Sequence, residues 1–170
     1  MKVLVTGGVR SGKSRHAETL LTGAVTYVAP GPTTAEDPDP DWAARLAAHR
    51  ARRPAAWTTL ETRDLAAALG TPGPVLVDCL GTWLTGVLDE RGLWEHGSDE
   101  VTAAVSGLLD DALAVIHDDT VLVTNEVGLG VVPEHRSGRL FRDLLGLVNQ
   151  RAAAACDEVH LIVAGRVLRL

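Results

Sequence analysis

The sequence predicts an α/β fold, a mostly parallel β-sheet flanked by helices. Three observations predict it. Short apolar, β-branched runs recur along the 170 residues, helical patterns separate them, and the first run passes through glycines directly into a helix. With 46% hydrophobic and 22% charged residues, the chain has the composition of an ordinary globular protein and the length to bury a full core. A single domain over residues 1–170 is expected, because no repeat, low-complexity stretch or linker interrupts the pattern.

The elements follow in order. Lys2–Thr6 is the first strand, and the helix after the glycines is expected to run to about Leu21. Val25–Ala29 reads as a second strand. Pro30–Asp41, rich in Pro, Gly, Thr and Asp, must be a loop. Asp41 is placed to cap a helix through Ala43, Leu46 and Ala47 that has to stop before Pro54. Trp57–Thr62 is extended and precedes a helix ending near Gly70, and Thr71–Pro74 is a turn. Val75–Asp78 is a buried strand ending on a carboxylate. Helices are predicted over Leu80–Leu88 and Asp99–His117, then a strand over Thr120–Asn125 and a loop over Gly128–Pro133. A long helix, Arg136–Cys156, leads to Glu158–Val163, which is expected to close the sheet.

A net charge of −6 argues against a broad nucleic-acid surface. Met1–Gly8 lacks the apolar core and cleavage site of a signal peptide, and no apolar stretch approaches the ~20 residues of a membrane span. Cys79 and Cys156 are isolated, as buried free thiols of a reducing compartment would be, so the cytoplasm is the expected location. His16 sits in the first turns after the glycines. His96, His117, His135 and His160 show no clustered partners, and no histidine pair has metal-ligand spacing, so no zinc site is expected.

Gly7-Gly8-Val9-Arg10-Ser11-Gly12-Lys13-Ser14 fits the phosphate-binding pattern G-x-x-x-x-G-K-[ST] and lies between the first strand and the first helix. The glycines let backbone N–H groups turn inward toward phosphate oxygens, and the helix start adds partial positive charge. Lys13 supplies a point charge to the β and γ phosphates and Ser14 a hydroxyl to Mg²⁺. Lys2 and Lys13 are the sole lysines among 16 basic residues, which adds weight to a lysine inside a motif. The fold class sharpens accordingly to a RecA-like P-loop NTPase. Such a loop needs a carboxylate on a neighbouring strand to organise Mg²⁺. Asp78 is the first candidate, with helix capping as its alternative role. Glu126, after the strand at Thr120–Asn125, is the second, with local loop hydrogen bonds as its alternative.

Arg45-Leu-Ala-Ala-His49-Arg-Ala-Arg-Arg53 places four arginines and a histidine within nine positions of an acidic chain. On a helix Arg45, His49 and Arg52 share a face. Two readings fit: a solvated basic surface, or arginines that hold a triphosphate around an imidazole able to attack an α-phosphorus.

These residues resemble a known family. Val5–Glu18, Ala44–Pro54 with Trp57, Val77–Leu80 with Trp83–Thr85, and Val123–Glu134 are similar to blocks of the bifunctional adenosylcobinamide kinase and adenosylcobinamide-phosphate guanylyltransferase family of cobalamin synthesis. Phe141–Asp143, Asn149–Arg151 and Asp157–Val159 extend the likeness. The resemblance implies phosphorylation of adenosylcobinamide by ATP or GTP, followed by GMP transfer from GTP through a GMP–histidine intermediate. His49 stands at the nucleophile position. Nucleotide contacts are implied at Gly7, Gly8, Val9, Arg10, Ser11, Gly12, Lys13 and Ser14, at Ala29, Pro30 and Gly31, at Arg50, Ala51, Arg52 and Arg53, and at Glu61 and Asp78. Lys13 joins His49 as a catalytic residue, Mg²⁺ falls to Ser14 and Asp78, and a homotrimer is implied, with Trp83, Trp94 and apolar helix faces as its candidate interface and the core as the alternative place for Trp83. Two rivals remain. One is a monofunctional P-loop small-molecule kinase. The other is a nucleotide-dependent switch, against which stands the lack of the guanine-reading Asn-Lys-x-Asp pattern.

Overall fold

The computed structural model describes residues 1–170. Seven strands form one sheet: β1 (Lys2–Gly7), β2 (Thr26–Val28), β3 (Thr58–Leu60), β4 (Val75–Asp78), β5 (Thr120–Val123), β6 (Glu158–Val163) and β7 (Arg166–Arg169). Their spatial order is β3-β2-β4-β5-β1-β6-β7. Every pairing is parallel except the antiparallel β6–β7 edge. The helices are α1 (Lys13–Glu18), α2 (Pro40–Arg52), α3 (Leu65–Leu69), α4 (Leu80–Glu90), α5 (Ser98–Ala114) and α6 (Arg136–Ala155), with a 3₁₀ turn at Leu93–Glu95.

The apolar strands are explained by burial on both faces. Alternate residues of one strand enter different cores. Leu4, Val75, Val77 and Leu122 pack with α3, α4, α5 and α6 in one cluster, which holds the fully buried Trp83. Val3, Val5, Leu76, Val121 and Val123 pack on the other face with Ala17 of α1, Tyr27 and Ile162. Helix α2 differs from the rest in burying no residue at all. Polar tethers hold it: Trp42 Nε1 donates to the Pro32 carbonyl at 2.9 Å, and Arg52 pairs with Glu18 at 3.0 Å.

Strand β5 lies between β1 and β4, so Val123 sits level with both Val5 and Asp78. The carboxyl ends of β1, β5 and β4 therefore share one sheet edge, the edge where open α/β sheets bind ligands.

Several sequence expectations need correction. The first helix ends at Glu18, where Thr19 bonds the His16 carbonyl through its hydroxyl at 2.6 Å and a tighter turn follows. The cap of α2 is Asp39, whose carboxylate accepts from the Asp41 amide; Asp41 itself lies in the first turn. The sheet does not close at β6. Ala164 and Gly165, both at positive φ (49° and 74°), make a two-residue hairpin into β7. Alanine is unusual in that turn, so the pattern gave little warning of it. Cys79 is buried as expected, whereas Cys156 is only half-buried.

Candidate active site

The loop from β1 to α1 is shaped by backbone geometry. Gly12 adopts a left-handed conformation at φ 97°, and Arg10 shares that region at φ 55°. Gly7 has no room for a side chain, since an added Cβ would lie 2.5 Å from the Ile162 carbonyl oxygen and 2.7 Å from Ser11 Oγ. Ser11 ties the loop to the β6–β7 hairpin, its carbonyl accepting from the Gly165 amide at 2.9 Å. The Lys13 ammonium donates to the Gly8 carbonyl at 3.2 Å, so its head lies over the loop. Burial lowers the Lys13 pKa, the nearby Arg45 adds to that, and Asp78 opposes it.

Asp78 ends β4 with a side chain only 8% exposed. Tyr27, from the adjacent β2, donates its hydroxyl to Asp78 Oδ2 at 2.8 Å. His49 of α2 turns Nδ1 toward the same oxygen at 3.8 Å. Burial lowers the His49 pKa, with Asp78 opposing, so the site favours the neutral imidazole. Burial and then the Asp78 charge raise the Tyr27 pKa well beyond its ordinary value, which keeps the phenol a donor. The Arg53 guanidinium lies over the Tyr27 ring, 3.4 Å from its centroid, while its NH1 donates to Thr59 Oγ1 at 2.7 Å.

The structure thus brings Lys13, Arg45, His49 and Asp78 into one electrostatic neighbourhood. Arg52 faces Glu18 from the same helix side. Arg50 and Glu61, predicted as separate nucleotide contacts, are paired with each other, and Ala51 is exposed. Ala29 follows β2, its amide bonded to the Leu60 carbonyl at 2.9 Å; Pro30 is buried, and Gly31 fits against Thr82 and Trp42. Glu126 lies at the end of β5, its amide donating to the Gly7 carbonyl at 3.2 Å.

Sequence reasoning missed Tyr27, although a lone tyrosine in a strand facing the acid of the next strand is a usable signal. It also reads His160 as a histidine with no clustered partner, and the structure corrects that. His16 Nε2 and His160 Nδ1 are 3.0 Å apart, and His160 Nε2 is 2.8 Å from Glu158 Oε2, in a chain that links α1 to β6. A separation of 144 residues hid the pair.

A glycine loop between β1 and α1, a lysine over that loop, and an acid on a nearby parallel strand define the phosphate-binding edge of a P-loop nucleotide enzyme. Over residues 3–170 the chain matches the family described as cobinamide kinase / cobinamide phosphate guanyltransferase, and it belongs to that family. It is 43% identical to the bifunctional adenosylcobalamin biosynthesis protein CobU of Salmonella typhimurium and 41% identical to that of Escherichia coli K12, over 97% of each chain. The bifunctional adenosylcobalamin biosynthesis protein CobP of Pseudomonas aeruginosa is 41% identical, over 97% of this chain and 94% of its own.

Proposed function

We propose that this chain carries out both family reactions at the carboxyl edge of β1, β5 and β4. It phosphorylates the aminopropanol hydroxyl of adenosylcobinamide with ATP or GTP, then transfers GMP from GTP to that phosphate, with His49 as the covalent nucleophile. The observation that carries the reading is the half-buried His49 held near Asp78 beside the Lys13 loop.

The chemistry follows from the geometry. With Nδ1 turned toward Asp78, the Nε2 lone pair of neutral His49 is the free nucleophile. A bond forms from Nε2 to the α-phosphorus of GTP, and the bond from that phosphorus to the α–β bridging oxygen breaks. Pyrophosphate leaves with that electron pair, next to the Lys13 ammonium and the arginines of α2. An oxygen of adenosylcobinamide phosphate then attacks the same phosphorus, the P–N bond breaks, and His49 is restored. Asp78 orients the imidazole and balances its charge.

The donor set suits Mg²⁺. Ser14 offers a hydroxyl that bonds to no protein group, and Asp78 keeps Oδ1 unbonded while Tyr27 occupies Oδ2; both are hard oxygen donors. An ion at such a site is held largely by phosphates and water. When bound, Mg²⁺ supplies charge neutralisation on the phosphates. The family resemblance also implies a homotrimer. Trp83 is core and offers it no surface, whereas Trp94 is half-buried. Light scattering that reports a monomer would remove the trimer.

The test uses Mg²⁺ and GTP labelled at the α-phosphate, without cobinamide, followed by denaturation. Retained label that is acid-labile, alkali-stable and absent from a folded His49→Ala variant is the expected result. A protein that binds GTP yet retains no label leaves the monofunctional kinase as the better reading. No helix is long and apolar enough to cross a membrane.

A further inference from the structure

We propose that the corner between β5 and α6 is the acceptor side of the kinase reaction. Glu126 takes the proton from the substrate hydroxyl, and the apolar loop beginning at Val127 seats the corrinoid. This rests on the kinase activity proposed above.

Position comes first. Because β5 lies between β1 and β4, the chain that leaves it after Val123 emerges at the sheet edge shared with the Lys13 loop and Asp78, and Glu126 is three residues along it. The Glu126 amide is bonded to the carbonyl of Gly7, the first residue of the phosphate loop. Its carboxyl group is only partly engaged: Oε1 accepts from the Gly128 amide of its own loop at 3.2 Å, and Oε2 has no protein partner. The other acids around the site are engaged. Glu18 pairs with Arg52, Glu61 with Arg50, and Asp78 with Tyr27 and His49.

The backbone leading to Glu126 is fixed from below. Thr124 Oγ1 donates to Asn149 Oδ1 at 2.6 Å, and Asn149 Nδ2 donates to the Asn125 carbonyl at 3.0 Å. A clamp from α6 thus holds the two residues preceding Glu126, the support that a group acting on a reacting atom needs.

Beyond Glu126 the chain exposes apolar side chains in close succession. Val127 is 37% exposed, Leu129 87%, Val131 96% and Val132 57%. Four exposed apolar side chains within six residues of one loop are the kind of surface that binding sites use. Its continuity with Glu126 selects the occupant. A hydroxyl in line with the γ-phosphate has to arrive attached to its macrocycle, whose apolar faces need a surface of this chemistry next to the phosphate loop.

In the step itself, a bond forms from the acceptor oxygen to the γ-phosphorus and the bond from that phosphorus to the β–γ bridging oxygen breaks. The nucleoside diphosphate leaves with that electron pair, and the hydroxyl proton moves to Glu126 Oε2. The later guanylyl transfer uses a phosphate oxygen that is already anionic and needs no base. Glu126 therefore serves one reaction and not the other.

The experiment measures three rates with full-length protein: phosphorylation of adenosylcobinamide, labelling of the protein by GTP, and GMP transfer to preformed adenosylcobinamide phosphate. Wild-type protein that labels itself but does not phosphorylate adenosylcobinamide defeats the kinase reading, and this assignment with it, before any variant is made. With wild type active, Glu126→Gln is expected to lower kcat of phosphorylation by about 10²–10⁴-fold with the other two rates unchanged. Equal loss of all three, or loss of none, overturns the role of Glu126. The Leu129→Ser/Val131→Ser variant is expected to raise KM for both corrinoid acceptors about tenfold, with KM for nucleotide unchanged. Unchanged acceptor KM overturns the corrinoid seat. If the variant then also changes its mass by light scattering, the loop is a contact between copies of the chain.

Discussion

Tyr27 offers the sharpest check on how the site is held together. The residue is 2% exposed, and its hydroxyl makes the one side-chain hydrogen bond to Asp78, a carboxylate with only 8% of its side chain exposed. A hydrogen bond to a charged group contributes about 1.5–3 kcal/mol, and Tyr27→Phe removes it while keeping the ring under Arg53. For a chain of this size that corresponds to a fall in Tm of about 3–12 °C. The same substitution made in an Asp78→Ala background should cost nothing or even stabilise, because there the phenol is a buried donor without an acceptor. Urea denaturation of wild type, both single variants and the double variant completes the cycle, with an expected coupling of at least ~1.5 kcal/mol. Additivity within about 0.5 kcal/mol would show that Tyr27 and Asp78 do not support each other, and the account of Asp78 as a tethered, oriented acid would fail.

Other expectations are more direct. Lys13→Ala should abolish both phosphorylation and protein labelling by GTP, and unchanged labelling would mean that the two reactions use different nucleotide sites. Gly7→Ala should lose nucleotide binding by titration calorimetry, because its Cβ would overlap the Ile162 carbonyl and Ser11 Oγ; wild-type affinity would refute the loop geometry. Burial, with some help from Asp157, pushes the Cys156 thiol up to about 11 from 9.0. Its alkylation at pH 8 should be about a hundredfold slower than that of a free thiol, and labelling at the free-thiol rate would contradict its burial.

The phosphate loop was legible from the residues alone because its chemistry is contiguous. Eight consecutive positions both form the backbone cradle and supply the lysine and the hydroxyl. The strand Val75–Asp78 was equally plain, since a run buried on both faces has to be apolar throughout and its acid marks the exit. Helix boundaries drifted where side chains decide them, as at Thr19, which ends α1, and at Asp39, which starts α2. The segment around His49 stood out by composition, but composition left its role divided between a solvated basic face and a nucleophile. The family resemblance, not helical spacing, favoured the second.

What the sequence determined by itself was the local backbone: the glycine turn, the strand–helix alternation and the identity of the charged groups. Only the tertiary structure decided which of those groups meet. Strand order depends on how each crossover helix packs, not on local propensity, so the placement of β5 between β1 and β4 could not be read from any one segment. That placement sets Glu126 beside Gly7, as the β2–β4 pairing sets Tyr27 against Asp78 and the docking of α2 brings His49 to it. Contacts such as His16 with His160 join residues 144 positions apart, a distance over which periodicity carries no information and packing alone selects the partner.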